Sequence, residues 1–431
     1  MLKRIAVSST VACALVAAVA LPASASAASL YVSNKAPAVP GGKSCTQPAY
    51  NSIQAALGAS GSGTIDVCPG TYTEQLTITK AVKLKVAGTS GSAKVVLPAS
   101  PADTKTECDE AKGTEAFQPD QDGVSICTSG VVSITGLAFE PKWAEGVCDE
   151  SLYGILVAGR ATLKAKDVTV DGGGAFPLNG CQGGIGVQVG MAWTTPVEVG
   201  HAVLSGVTVA DYQKNGITVD GAGSSASVSA TTVTGAGATP TIAQNGIQIS
   251  NGAQAKIKSS KVAANECDAP SCGPVGLTQT QSTGLLFFGD GAASASSVTS
   301  TELAGNDVGA YYVSEAATQP SAPELTLNKD VFAGNRYEGV VLDQGDALIK
   351  GGRIVGPGNI GVDLLQYESQ TLPSSSSATG LKIEGQSDAG VKVESDHGAK
   401  DTPGRFVLSK STLSGNGATL VNESSTFEVV L

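Results

Sequence analysis

A short apolar run led by glycine returns nine times along this chain, and it limits the possible folds more than any other feature. The glycines are Gly154 in "GILV", Gly186 in "GVQV", Gly216 in "GITV", Gly246 in "GIQI", Gly284 in "GLLFF", Gly309 in "GAYYV", Gly339 in "GVVL", Gly361 in "GVDLL" and Gly390 in "GVKV". Successive glycines lie 32, 30, 30, 38, 25, 30, 22 and 29 residues apart. Between them runs a second pattern of apolar residues five apart: Val228/Val233, Ile257/Val262, Val298/Leu303, Leu327/Phe332, Ile349/Ile354 and Leu408/Leu413. In four of these an asparagine follows three residues later, at Asn265, Asn306, Asn335 and Asn416.

Alternating apolar residues punctuated by Gly, Asn and Ser specify short strands. Units of 22–38 residues that recur many times specify a solenoid, because no unit can bury its own apolar face. The shortest unit has room for three short strands and their turns, which predicts an all-β parallel β-helix. Aromatic residues make up only 4% of the chain, so stacked Val, Ile and Leu must fill the interior. The asparagines are expected in turns at one place on successive coils, in left-handed conformation and bonded to local backbone.

Residues 1–27 read as a secretory signal peptide, with a basic "MLKR", an apolar stretch and Ala25-Ser26-Ala27 as the cleavage site. No later segment reads as a membrane anchor, so a secreted, extracellular protein is expected. Residues 28–431 then form one domain. Without the signal, 25 Lys and Arg face 38 Asp and Glu, a net charge of −13. That balance argues against nucleic acid and weakens any polyanionic substrate unless calcium bridges the two. Eight cysteines remain in an exported chain, which argues for disulfides. Neighbour pairing (Cys45–Cys68, Cys108–Cys127, Cys148–Cys181, Cys267–Cys272) is the simplest of on the order of 100 connectivities. Zinc is a poor rival, because Cys267 and Cys272 have no second pair nearby and the chain has only His201 and His397.

Residues 45–88 form the N-terminal cap and first coil. "NSIQAAL" predicts a short amphipathic helix capped by Asn51 or Ser52, with Ile53, Ala56 and Leu57 on one face. Such a helix would cover the open end of a solenoid. This opening, with "GTIDVCPGTYTEQLTITKAVKLK" and the repeats that follow, resembles secreted right-handed parallel β-helix proteins of the pectin-lyase-like superfamily. The resemblance spans nearly all of the chain after the signal and implies that fold. It does not choose an activity, because the superfamily holds lyases, hydrolases, esterases, epimerases and proteins without a known reaction. Signatures of pectin methylesterases and polygalacturonases are absent. No local motif supplies the calcium carboxylates and catalytic cation of a pectate lyase.

Long insertions fall on both sides of the Gly-led strand, at 171–183, 236–244 and 265–283 before it and at 191–199, 314–323, 366–378 and 395–404 after it. Stacked, they would wall a groove, the place where β-helix proteins of this resemblance bind polysaccharide. Strand alternation turns Asp343, Asp363, Lys392 and Glu394 outward, with Gln248, Phe288 and Tyr311 on earlier coils. Stacking puts Asp343 and Asp363 diagonally adjacent, about 8 Å apart at Cα. That suits acid/base work on a glycosidic bond, with Lys392 beside Asp363 to hold a carboxylate ionised. Phe288, Tyr311, Gln248 and Glu394 are the expected sugar contacts. The bland alternative is a solvated outer face with ordinary charge pairing. Asp171 and Asp220, in two "TVDG" turns, are weaker candidates, as are "DQGD" at 343–346 for calcium and the loop residue His397. The expected protein is a monomeric lyase or hydrolase, or a non-catalytic surface solenoid. It would meet a polysaccharide or cell-surface glycan, with neither nucleic acid nor membrane as partner, and with no cofactor unless calcium takes part.

Overall fold

In the computed structural model the described residues are 29–61, 63–104, 106–108, 120–144, 148, 151–276, 279–289, 296–313, 324–366, 375–395 and 403–431. The signal segment and His397 lie outside them. Each coil contributes one strand to each of three parallel sheets. A representative coil runs through Thr162–Lys166 in the first sheet, Thr169–Asp171 in the second and Ile185–Val189 in the third, then returns to the first at His201–Ser205. Among the described residues the first sheet has fourteen strands and the other two have twelve each. All of these pairings are parallel and keep register from coil to coil, as in Leu163↔Ala202↔Ala226↔Ala255. The interior is one continuous stack of small and branched apolar side chains. In the second sheet it runs Val170, Val209, Val233, Val262, Leu303, Phe332, Ile354 and Ile383, all buried.

The corner between the first and second sheets is two residues long, and its first residue is left-handed on coil after coil. Asp167, Gly206, Ala230, Ser259, Ser300 and Lys329 have φ of 52°, 65°, 48°, 48°, 51° and 58°. A side chain there costs roughly 1–2 kcal/mol, while glycine costs chain entropy of roughly 0.5–1 kcal/mol. Ala230 is exposed, so its methyl group contributes little burial. Ala230→Gly is therefore expected to raise stability by roughly 0.5 kcal/mol, read as a higher thermal midpoint.

The asparagines occupy a different place from the one their sequence context suggests. The left-handed residue at that corner is the one before each of them: Ala264, Gly305, Gly334 and Gly415, at φ 60°, 60°, 59° and 64°. The asparagine side chain then turns inward and bridges coils. Asn265 Nδ2 donates to Asn306 Oδ1 at 2.8 Å, and Asn306 Nδ2 donates to Asn335 Oδ1 at 3.1 Å. The same oxygens accept the backbone N–H of Asn265 and Asn306. Asn306 and Asn335 also donate to carbonyls of neighbouring coils, at Val262 and Leu303. A planar side chain with both a donor and an acceptor can repeat this pattern without end, which explains the spacing better than local turn bonding does.

All four neighbour-paired disulfides form: Cys45–Cys68, Cys108–Cys127, Cys148–Cys181 and Cys267–Cys272. The helix also forms, over Ile53–Ala59, with Ser52 Oγ accepting Ala55 N–H at 3.0 Å and Ile53, Ala56 and Leu57 buried. The Glu74 carboxylate accepts the first N–H groups of the helix, from Ile53 and Gln54. The helix lies against strands Leu30–Val32, Thr64–Val67 and Leu76–Ile78. No helix among the described residues is long and apolar enough to cross a membrane.

Candidate functional site

The Gly-led runs form the third sheet, and its outer rows keep the expected register. One row reads Gln188, Thr218, Gln248, Leu286, Tyr311, Val341, Asp363, Lys392. The next reads Asp220, Ser250, Phe288, Val313, Asp343, Leu365, Glu394. Asp343 and Asp363 are therefore diagonal neighbours, and Lys392 stands directly beside Asp363.

Around Asp363 this face is not solvated. Asp363 is 0% exposed and Asp343 6%, and Val341 and Leu365 between them are buried too. Part of the cover is the segment that follows Asn265. Val275 packs against Val308, Val341 and Leu365, with Tyr311 at the edge. The segment is tied down by Asp307, whose Oδ2 accepts Cys267 N–H at 3.0 Å and Ser282 N–H at 2.9 Å. Arg336 completes the tie. Its Nε donates to Asp307 at 2.8 Å, and its other nitrogens reach Asp268 and the Cys267 carbonyl. The reading of an ordinary solvated face therefore fails at Asp343 and Asp363, and so does that of an open groove.

Glu338 belongs to this cluster and was not foreseen. Simple alternation from Val340 turns Glu338 inward. The alternation breaks at the glycine, however, because the glycine faces the core as well. A Cβ on Gly216 would come within 2.5 Å of Val233 Cγ1 in the second sheet and 2.6 Å of the Gly246 carbonyl oxygen. A Cβ on Gly339 would meet the Gly361 carbonyl oxygen at 2.7 Å. The residue before each glycine consequently points out: Asn215 bonds the outward Thr218 and Gln248, and Glu338 Oε1 accepts Val275 N–H at 3.2 Å. A carboxylate immediately before a repeat glycine is the sequence signal that could have found it.

Four carboxyl groups, Glu338, Asp343, Asp363 and Glu394, thus gather around Lys392 and Tyr311. Lys392 Nζ bonds Glu394 Oε1 at 2.6 Å, with Glu423 and Asp388 farther off at 3.9 and 4.0 Å. Tyr311 hydroxyl reaches Asp343 Oδ2 at 3.5 Å. Neither oxygen of Asp363 has a hydrogen-bond partner among the described residues, and Glu338 Oε2 has none either. Burial pushes Asp363 well above the usual carboxylate range, and the nearby Glu394 and Glu338 push it further. Lys392 and the Leu364 amide pull the other way and are outweighed. Burial likewise pushes Glu338 up to about 8, against the Val275 amide. Burial works against the charge on Lys392, but its bond to Glu394 raises it overall. Protonatable acids and an ion-paired carboxylate therefore lie side by side.

The remaining expected contacts are more scattered. Phe288 is 37% exposed, three coils before Asp363. Gln248 lies one coil farther, in a polar network with Asn215 and Ser250. Asp220 accepts Ala192 N–H, Ser250 Oγ and Asn251 Nδ2, and Asp171 pairs with Lys142, so both serve local structure. No group of three or more His, Cys, Asp or Glu with metal-binding geometry occurs among the described residues.

No protein-family model matches the sequence, and no curated protein is significantly similar to it. Solved structures do share its fold. The A-module of mannuronan C-5 epimerase AlgE4 from Azotobacter vinelandii superposes with a TM-score of 0.53 at 12% identity, over 88% of this chain and 94% of that one. The periplasmic alginate epimerase AlgG gives 0.50 at 11% identity, over 84% and 79%. The chain is a right-handed parallel β-helix.

Proposed function

We propose that this protein binds an extracellular polysaccharide across the outer face of the third sheet and acts on it through the carboxyl cluster around Asp363. One observation carries the reading: a fully buried carboxyl with no hydrogen-bond partner among the described residues, set between two other carboxyls. Such a group destabilises the fold, and proteins keep costly buried groups chiefly where chemistry uses them. In this reading Glu338, which burial raises to about 8, and Asp363, which burial also raises, supply general acid to a glycosidic or sugar-ring oxygen. Glu394, held by Lys392, supplies the basic partner, and Asp343 is oriented by Tyr311. Phe288 offers an exposed ring for a sugar several coils away. Access requires Val275 and its segment to lift from Val341 and Leu365.

Similarity in fold to alginate epimerases supports a polysaccharide ligand, and the four disulfides suit an extracellular setting. The chain is further read as a secreted monomer after loss of residues 1–27, with the helix Ile53–Ala59 closing its N-terminal end. The competing reading, a non-catalytic structural or adhesive solenoid, draws on the closure of the face over Asp343 and Asp363.

A panel of neutral and acidic polysaccharides, with and without calcium, read by mass spectrometry, separates the two. Product from one glycan is expected, with a loss of about 100-fold or more in both Glu338→Gln and Asp363→Asn, the scale of a lost general acid. No product from any glycan would leave the structural reading.

A further inference from the structure

The outer face of the first sheet carries a second, separate feature. Seven adjacent strands, from Val82–Val86 to Ser297–Thr299, turn two rows of side chains to solvent in strict register. One row reads Lys83, Ser133, Lys164, Val203, Ser227, Lys256, Ser297, and the other reads Lys85, Thr135, Lys166, Ser205, Ser229, Lys258, Thr299. A partial third row holds Val131, Thr162, His201, Ser225 and Gln254. No outward position on these seven strands is acidic, in a chain where Asp and Glu outnumber Lys and Arg by 38 to 27. Of the six lysines only Lys85 makes an ion pair among the described residues, with Asp66 at 3.2 Å. Gathering like charges without partners opposes folding, and here they occur as three matched pairs. At about 4.8 Å per coil the pairs lie about 10 and 14 Å apart along the axis.

The surface between the pairs is lined by hydroxyls. Ser225 and Ser227 are short, and between the coils of His201 and Lys256 they leave a depression of about 340 Å³, lined also by Val203 and Gln254. We infer that this face binds a linear anionic glycopolymer, lying along the solenoid axis with its carboxylate or phosphodiester groups on the lysine pairs and its hydroxyls on the Ser and Thr between them. Charge complementarity selects an anion, and the hydroxyl-lined floor selects a polyol. Single-stranded nucleic acid fits less well, since these outward positions offer no Phe, Tyr or Trp for bases to stack on and the one imidazole, His201, is half-buried and bonded to Ser225. The net charge of the chain argues against polyanions in general, but it does not describe this face. The inference rests on different residues from those of the carboxyl cluster and stands or falls separately.

The test is direct binding of the full chain after the signal to four probes. These are hyaluronan (carboxylate charges), poly(glycerol phosphate) (phosphodiester charges), neutral dextran and a DNA duplex, each titrated from low to physiological salt. Binding to one or both of the first two, absent for dextran and weakening as salt rises, is expected, and it shows which anionic group is read. Lys164→Gln, Lys166→Gln, Lys256→Gln and Lys258→Gln combined should reduce affinity at least about tenfold and flatten its salt dependence. All four lysines are exposed, so the fold should survive, and circular dichroism checks it. Arg353→Gln with Lys382→Gln, exposed on the second sheet, should leave affinity unchanged. Binding to neither anionic glycopolymer, an equal loss in the second-sheet control, or duplex DNA bound as tightly as either glycopolymer would overturn the inference.

Discussion

Asp363→Val is expected to give a more stable protein that makes no product. The position is fully buried, its carboxyl oxygens have no hydrogen-bond partner among the described residues, and its neighbour in the row is Val341. Valine suits a strand and removes a buried polar group whose desolvation Lys392 and the Leu364 amide only partly offset. A gain of about 1–3 kcal/mol follows, visible as a higher midpoint in thermal or urea unfolding. The dependence on pH adds a second check. Glu338 and Asp363 bind protons more tightly in the folded chain than in the unfolded one, where carboxyls release them near about pH 4. Between that pH and about 8, where folded Glu338 titrates, the folded state holds more protons. Stability therefore falls as pH rises through this window, the reverse of what paired carboxylates give. Asp363→Val combined with Glu338→Gln should make the fall shallower, the remainder belonging to other buried carboxyls such as Asp330, which burial raises to about 7. A variant less stable than the parent would show that Asp363 serves the fold, and the catalytic reading would lose its main support.

Asn306→Ala should be among the most damaging single changes in the wall of the solenoid. It removes the acceptor for two donors of Asn265, backbone and side chain, and the side-chain donor to Asn335 Oδ1 and the Val262 carbonyl. Asn265 and Asn306 are 0% exposed, so water cannot replace what is lost. Two or more orphaned groups at roughly 1–3 kcal/mol each give a loss of about 3 kcal/mol or more. Asn416→Ala provides the internal comparison. That residue is half-buried and among the described residues bonds Gln386 N–H and the Ile383 carbonyl alone, so about 1 kcal/mol is expected. Equal losses at the two sites would mean that the asparagines act one by one rather than as a connected ladder.

Most of the architecture could be read before the structure because it depends on periodicity. The glycine spacing gave the third sheet, the five-residue apolar spacing gave the first two, and alternation gave the outer rows in which Asp343, Asp363, Lys392 and Glu394 stand. The disulfides followed because each joins cysteines that are neighbours in sequence, 5–33 residues apart. Three features were not readable in this way. Glu338 was hidden because the rule of alternation fails at a glycine whose hydrogen faces the core. The inward turn of the asparagines was hidden because the left-handed residue is the one before each, and a turn looks alike in sequence whichever of its residues carries the unusual angle. The cover over Val341 and Leu365 includes Val275, which comes from a segment without any repeat. The lysine pairs were visible one by one, but a count of charges over the whole chain cancels them.

The tie at Asp307 also bears on how such a protein can change. One carboxylate oxygen holds the N–H of Cys267 and the N–H of Ser282, so the excursion between them leaves and rejoins the wall at a single point. The excursion is in effect a cassette in a fixed socket, and a lineage could trade one insertion for another there while the stacked interior stayed as it was.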